Sequence, residues 1–476
     1  MEKRTAGMLC ANVDVMLIGN AEAEIDQIVR DSREVTPGSL FVAIKGERFD
    51  GHQYIAKVWE QGASVVLADV KHKDELVKEI PEGCALLLAE DTVQAMGRIA
   101  AAYRKSLAVT AVAVTGSVGK TSCKDMIGAV LSGGRRVIKT QGNFNNHIGV
   151  PLTLFRMDKE TQAVVTELGM NHAGEIDYTA GIVKPEFGVI TNIGVSHIEN
   201  LGSREGILQA KLELAPHLQG GPLFLNADDE LLSSVKGKLP VAVEYFGFSE
   251  EAEGRILKAE PTAEGSLAVK LAYQNEIYEI MLPVLAKHMA YYAMAAIMVA
   301  VHMGLTKEEI LQGFAGYEAT GHRLQVIKTS DCILLDDTYN ASPASMKSAL
   351  ETLVGLPMQG RRVAILGDMF ELGSYAKNGH AQVGRMAAEA SAREAEGKLS
   401  VLICCGPEAY TIYEEAQKSC DKGLLVYYFE NTAQMEKKLF TILQKDDIIL
   451  LKASHGMAFD LVCETIRSHF ETNGGK

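Results

Sequence analysis

Residues 109–114 form a run of small and β-branched side chains that leads into Thr-Gly-Ser-Val-Gly-Lys-Thr-Ser at 115–122, and Lys120 to Leu131 follows with a helical pattern. A strand, a glycine turn and a helix in that order commit this region to an α/β sheet with the turn at the strand's carboxyl end. The turn reads as a phosphate-binding loop. Gly116 and Gly119 let the backbone turn tightly and bring its N–H groups against phosphate oxygens, Lys120 supplies a point charge, and the Thr121 hydroxyl can reach a magnesium ion. The spacing departs from the common G-x-x-x-x-G-K-[ST] pattern, because Val114 stands where its first glycine would be. The alternative is an ordinary strand-to-helix turn, which leaves Lys120-Thr121 without a reason.

With 476 residues the chain is too long for one hydrophobic core, so about three domains are expected. A formal charge of -14 with no cluster of Lys and Arg argues against binding to nucleic acid or anionic membranes. No stretch has the roughly 20 apolar residues of a membrane span, and the N-terminus lacks a sustained apolar run, so a cytoplasmic protein is expected. The eight cysteines show no C-x-x-C pair and no regular spacing, and are expected to be small core residues.

Short strands at Leu40 to Ile44, Val65 to Ala68 and Ala85 to Leu88, with a helix at Tyr54 to Glu60, indicate a small α/β unit before the loop. Beyond the loop, Ala163 to Thr166 and Phe187 to Asn192 alternate with helical segments, as a parallel sheet demands. Residues 250–283 alternate like a hairpin appended to that sheet, and His288 to Met303 reads as an Ala- and Met-rich helix. A third, doubly wound unit is expected from strands at Ile333 to Leu335, Arg362 to Leu366, Val401 to Cys404, Leu424 to Phe429 and Ile448 to Leu451.

Ligands of such sheets bind beyond the carboxyl ends of the strands. Glu167 stands directly after Ala-Val-Val-Thr, where a carboxylate can hold magnesium beside nucleotide phosphates. His197 follows the strand ending near Ile193. Asn143, Asn145 and Asn146 lie in a glycine-flanked loop, where short amides either bond phosphate or substrate carbonyls or build turns.

TGSVGKTS, GNFNNHIGVPLTL, ELGMNHAGEI, TNIGVSHIENLGS, ILQAKLELAPHL, DDTYNASPASMKSAL and LGDMFELG follow one another along the chain, and DSREVTPGSLFVAIKGERFDGHQYI precedes them. Together they resemble the Mur ligases over nearly the whole length. The resemblance implies an α/β fold of three domains: a small UDP-sugar-binding domain at 1–106, a central P-loop-type parallel-sheet ATP-binding domain at 107–317, and a Rossmann-like ligase domain at 318–476. It implies an ATP-dependent ligase of peptidoglycan precursor synthesis, with ATP and magnesium as cofactors and small-molecule substrates as its partners, expected to act as a monomer. LGDMFELG and the lack of a DNPR signature favour joining of D-alanyl-D-alanine to a UDP-muramoyl tripeptide through an acyl phosphate. A Mur-type ligase with another acceptor, or a nucleotide-switched binding protein, are the alternatives.

Position by position, the resemblance implies that Thr115, Gly116, Ser117, Val118, Gly119, Lys120, Thr121 and Ser122 bind ATP phosphates. Thr121, Glu167, His197 and Lys211 would serve two magnesium ions, with Lys211 carbamylated so that it presents an anionic oxygen. Lys120, Lys211 and His197 are the catalytic candidates; His197 and Asp337 are the candidates for a general base. Ser32, Arg33, Gly46, Asp50 and His52 match the UDP side together with Asn143, Asn145 and Asn146. Arg323 and Asp337 match a nucleotide-facing pair, and Asn340, Ser342 and Lys452 the dipeptide side. The chain departs from the family at Met289 and Tyr292, where asparagines usually stand, so Tyr292 is expected to stack on the adenine. It departs again at Ala453 and His455, where the family has Gly and Arg.

Overall fold

The computed structural model describes residues 1–472 apart from 12, 48, 319–320, 393–396 and 421–422. The first sheet is built from β1 (Met16–Gly19), β2 (Gln27–Val29), β3 (Ser39–Val42), β4 (Val65–Asp69) and β5 (Ala85–Ala89) in the order β1-β5-β4-β3-β2. Only β1 runs antiparallel to its neighbour. Helix α1 (Thr92–Lys105), capped by Asp91, covers one face and carries the chain to the next sheet.

The second sheet has nine strands. Its parallel part contains β6 (Thr110–Thr115), β7 (Val137–Lys139), β8 (Ala163–Glu167), β9 (Phe187–Ile190), β10 (Leu223–Asn226) and β11 (Val243–Gly247). Between them run α2 (Lys120–Leu131), α3 (Glu175–Val183) and α4 (Arg204–Leu212). Strand β6 lies between β8 and β9, so the phosphate loop leaves from the middle of the sheet. Almost every side chain of β6, β8 and β9 is buried, which is why these strands read as continuous apolar runs rather than alternating ones.

The expected hairpin is a three-stranded addition: β12 (Gly254–Pro261), β13 (Leu267–Tyr273) and β14 (Glu276–Leu282). β12 joins the sheet parallel to β11, then pairs antiparallel with β13. Alternation in β13 and β14 reflects one covered and one solvated face. Helix α5 (Met289–His302) has apolar residues all round and is buried nearly all round, against α2 and the sheet. After α6 (Lys307–Ala315) the third sheet begins.

That sheet takes the order β15-β16-β20-β17-β18-β19, from β15 (Gln325–Lys328), β16 (Ile333–Asp337), β17 (Arg362–Gly367), β18 (Leu399–Cys405), β19 (Leu425–Phe429) and β20 (Ile448–Lys452). Only β15 is antiparallel. Helices α7 (Pro343–Val354), α8 (Ala376–Ser391) and α9 (Phe459–Thr472) pack against it. Cys123, Cys332, Cys404, Cys405 and Cys463 are buried core residues, whereas Cys10, Cys84 and Cys420 are half-buried; all eight are free thiols. No described helix is long and apolar enough to cross a membrane.

Arg362 is 2% exposed, and its guanidinium donates to the carbonyls of Leu353, Leu356, Met358 and Gly360 at 3.2, 2.9, 2.6 and 2.6 Å. It thus closes the loop between α7 and β17. Arg362→Met removes the donors and leaves several carbonyls without partners, so the third domain should lose about 3 kcal/mol of stability. A thermal unfolding midpoint unchanged from wild type would contradict this.

Candidate active site

The strand β6 ends on Thr115, whose hydroxyl donates to the Leu168 carbonyl at 2.9 Å, and the chain then turns through 116–119. Gly116 approaches Thr191 so closely that a Cβ would overlap its hydroxyl, and Gly119, at φ 83, begins α2 against the Tyr292 hydroxyl. The loop is braced from the end of β9. Asn192 accepts from the Val118 N–H through Oδ1 and donates to the Val118 carbonyl through Nδ2, both at 2.9 Å, and the Thr191 hydroxyl donates to the same carbonyl at 2.7 Å. Ser117 Oγ accepts from the Gly194 N–H at 2.8 Å, and Ser122 is buried in the first turn of α2. The start of α2 therefore faces the carboxyl edge of the sheet with a rigid ring of N–H groups, a place for an anion.

Charged groups crowd around this edge. Lys120 donates to the Gly116 carbonyl at 2.9 Å; burial lowers its pKa, Glu167 opposes that shift and Arg323 adds to it. Lys211, on α4, is 1% exposed, and burial, then the charge of Lys120, holds its pKa well below the ordinary value. His197, in a left-handed conformation at φ 62, is lowered to about 4 by burial and then by Lys120 and Lys211. It is neutral near pH 7. Arg323 crosses from the third domain and donates to Thr121 Oγ1 at 3.2 Å, its guanidinium 4.0 Å from the Tyr339 ring centroid. Lys120 and Arg323, which repel one another, are arranged for a polyanion, which would relieve the repulsion.

Glu167 ends β8 at 3% exposure. Its Oε1 accepts from Asn145 Nδ2 at 2.9 Å, while Oε2 is buried without a hydrogen-bond partner. Among the described residues no three His, Cys, Asp or Glu side chains gather as a self-sufficient metal cluster. An orphaned carboxylate oxygen fits magnesium, a hard cation that is commonly held by one or two carboxylates together with substrate phosphates.

Beyond the end of β8, a cavity of about 520 Å³ opens toward the first sheet, lined in part by Lys45, His52, Asn146, Glu175 and Tyr178. His52 is locked: Nδ1 lies 2.6 Å from Asp50 Oδ1, and Nε2 accepts from the Asp69 N–H at 3.0 Å. Asp50 therefore orients His52. Asn146 accepts from the Ile148 and Gly149 N–H groups at 3.1 and 2.9 Å, so it builds the turn into the next helix as well as lining the cavity. Asn143 is exposed, and its carbonyl accepts from the Asn145 N–H at 2.8 Å. Gly46 closes a turn on the Phe49 carbonyl at 2.8 Å. Ser32 is half-buried, and the 84% exposed side chain of Arg33 pairs with Asp31 at 2.5 Å, outside the cavity.

Five of the expected residues have partners or packing of their own. Tyr292 is 4% exposed and packs beneath the phosphate loop, so its ring is not available to stack on a base. Asn145 holds Glu167 rather than opening into the cavity, because the turn brings its amide onto the carboxylate. Lys452, 2% exposed, donates to Asp337 Oδ2 at 2.6 Å and to the Asn340 carbonyl at 2.9 Å, so its charge is neutralised inside the third domain. Ser342 caps α7 by accepting from the Ser345 N–H, and the Asn340 side chain accepts from the Ala341 N–H at 2.8 Å. Thr191, Asn192, Lys45 and Tyr178 were not foreseen. The first two could have been read from their place directly after β9; the cavity-facing pair depends on how two domains meet.

Three family descriptions match the chain: "Mur ligase family, catalytic domain" at 24–104, "Mur ligase middle domain" at 114–300 and "Mur ligase, glutamate ligase domain" at 322–455. The UDP-N-acetylmuramoyl-tripeptide–D-alanyl-D-alanine ligase of Bacillus subtilis is 36% identical over 444 residues, covering 93% of each chain. Its Escherichia coli counterpart is 33% identical over 457 residues, covering 94% of this chain and 95% of that one. A crystal structure of MurF from Acinetobacter baumannii superposes with a TM-score of 0.85 at 30% identity, covering 98% and 99%. MurF from Thermotoga maritima in complex with ADP gives 0.80 at 26% identity, covering 94% and 98%.

Proposed function

This chain belongs to the Mur ligase family, and from that premise we propose that it joins D-alanyl-D-alanine to a UDP-N-acetylmuramoyl tripeptide with hydrolysis of ATP to ADP and phosphate. The observation that carries this reading is the pair of Lys120 and Arg323 at a braced phosphate loop, together with the buried amine of Lys211, the Glu167 oxygen and the cavity. The alignment with ligases of that name over nine-tenths of the chain supports the choice of substrates.

The loop N–H groups and Lys120 hold the triphosphate, and Arg323 closes over it from the third domain. The cavity holds the UDP-linked acceptor so that its peptide carboxylate meets the γ-phosphoryl group. That carboxylate displaces ADP and forms an acyl phosphate; the dipeptide amine then displaces inorganic phosphate and loses a proton. Both partners in the first step are anions, so positioned positive charge is the main requirement. Magnesium, when bound, neutralises and orients the phosphate oxygens, and Glu167 and Thr121 would hold it, together with Lys211 as its carbamate. An α-amine with a pKa of about 8 needs only weak general-base help. His197, neutral near pH 7, is a weak candidate for accepting that proton.

Phosphate release should require the UDP-muramoyl tripeptide and rise sharply when D-alanyl-D-alanine is added. Release that ignores the dipeptide would rule out this acceptor; release that ignores both substrates would indicate a nucleotide switch instead.

A further inference from the structure

With Tyr292 turned beneath the phosphate loop, the helix start that carries it has a second aromatic residue pointing elsewhere. The Tyr291 hydroxyl donates to Asp228 Oδ2 at 2.9 Å, and its ring meets Phe248 edge-on, with centroids 5.5 Å apart and planes at 81°. Phe248 is 43% exposed, so one face of its ring is open to a ligand. Its backbone is pinned as well: Asp228 Oδ2 accepts from the Phe248 N–H at 2.7 Å, and Oδ1 from the Ser249 N–H at 3.0 Å. One carboxylate thus fixes both the loop that bears Phe248 and the tyrosine that supports it.

The position matters as much as the surface. Asp228 follows β10 and Phe248 follows β11, at the same carboxyl edge from which the phosphate loop leaves β6. Sheet order puts β11 three strands from β6, with β9 and β10 between them. At about 4.8 Å per strand this is roughly 14 Å, a span that a nucleotide's phosphates and ribose can cover. The direction follows from the other side of the loop. Glu167 and the cavity lie at β8, on the opposite flank of β6, so the reacting phosphate faces β8 and the rest of the nucleotide must run toward β10 and β11.

We infer that the purine base of the nucleotide stacks on Phe248, with Tyr291 and Asp228 as positioning residues that hold this ring in place. The inference rests on the ATP-dependent reading above. An aromatic face replaces amide hydrogen bonds as the means of holding the base, which predicts strong affinity for a purine and modest discrimination between purines.

The test compares ADP with inorganic tripolyphosphate, which occupies the phosphate loop but has no base, by calorimetric titration of the full-length protein. Phe248→Ala should weaken ADP binding about 10- to 100-fold and leave tripolyphosphate unchanged, as expected for loss of one stacking partner. Phe248→Trp, which keeps a stacking face, should retain ADP affinity. Because the side chain lies at the surface, 43% exposed, both variants should melt close to the wild-type temperature. Tight ADP binding by wild type and Phe248→Ala alike overturns the base site and leaves the ligase reading standing. Equal weakening of ADP and tripolyphosphate also overturns it, since the effect would then lie in the loop. A wild-type protein that binds neither ligand overturns both readings.

Discussion

Lys211→Ala should lower ligase turnover by on the order of 10³-fold, the scale on which loss of one preorganised electrostatic group acts in comparable sites. The reason lies in an amine that is 1% exposed and held well below its ordinary pKa by burial and by Lys120. A neutral amine is a nucleophile toward carbon dioxide: nitrogen bonds to the carbon, a proton leaves, and the product is a carbamate. A group that is poorly placed as a cation would then become an anion near Lys120, which is the favourable sign beside that charge. Acetate or propionate added to Lys211→Ala should recover part of the activity by supplying the missing carboxylate in the vacated space. Wild-type turnover in the variant would exclude the carbamate, and recovery with chloride equal to that with acetate would exclude a carboxylate's role.

Gly119→Ala should weaken ADP binding about 100-fold. A non-glycine residue at φ 83 is strained by about 1–2 kcal/mol, and a Cβ there would overlap the hydroxyl of Tyr292, whose ring is held in the core between α2 and α5. Both effects move the N–H groups that receive phosphate. Adding Tyr292→Leu to Gly119→Ala removes the hydroxyl and the far ring carbons that a Cβ would meet and leaves the dihedral strain, so the double variant should bind ADP with intermediate affinity. A double variant no better than Gly119→Ala would mean that the strain acts alone. Tyr292→Phe by itself should bind nearly as wild type, in keeping with a structural rather than a stacking role.

How far these features could be read in advance depends on the distance over which each is determined. The strand, loop and helix at 109–131 are local: small residues, two glycines and a helix start suffice, and the structure places them as read. Glu167 was legible for the same reason, as the last residue of an apolar strand. The direction of Tyr292 was not. Helix α5 is apolar all round, so its periodicity does not say which side faces the loop and which faces solvent; the packing of α2 decides that. Asn145 and Lys452 illustrate a related limit. Each is a polar residue in a motif full of polar residues, and only the folded chain reveals that their partners are Glu167 and Asp337. The parallel entry of β12 was hidden because alternation marks a strand's exposed face, not its neighbour's direction.

The hydrogen bond from Arg323 to Thr121 joins residues 202 positions apart on different sheets. Neither sheet alone owns a complete phosphate site: the loop comes from one and the guanidinium from the other. The phosphate end of a nucleotide would thus be gripped at a seam, and a change in how the two sheets meet would reach it directly.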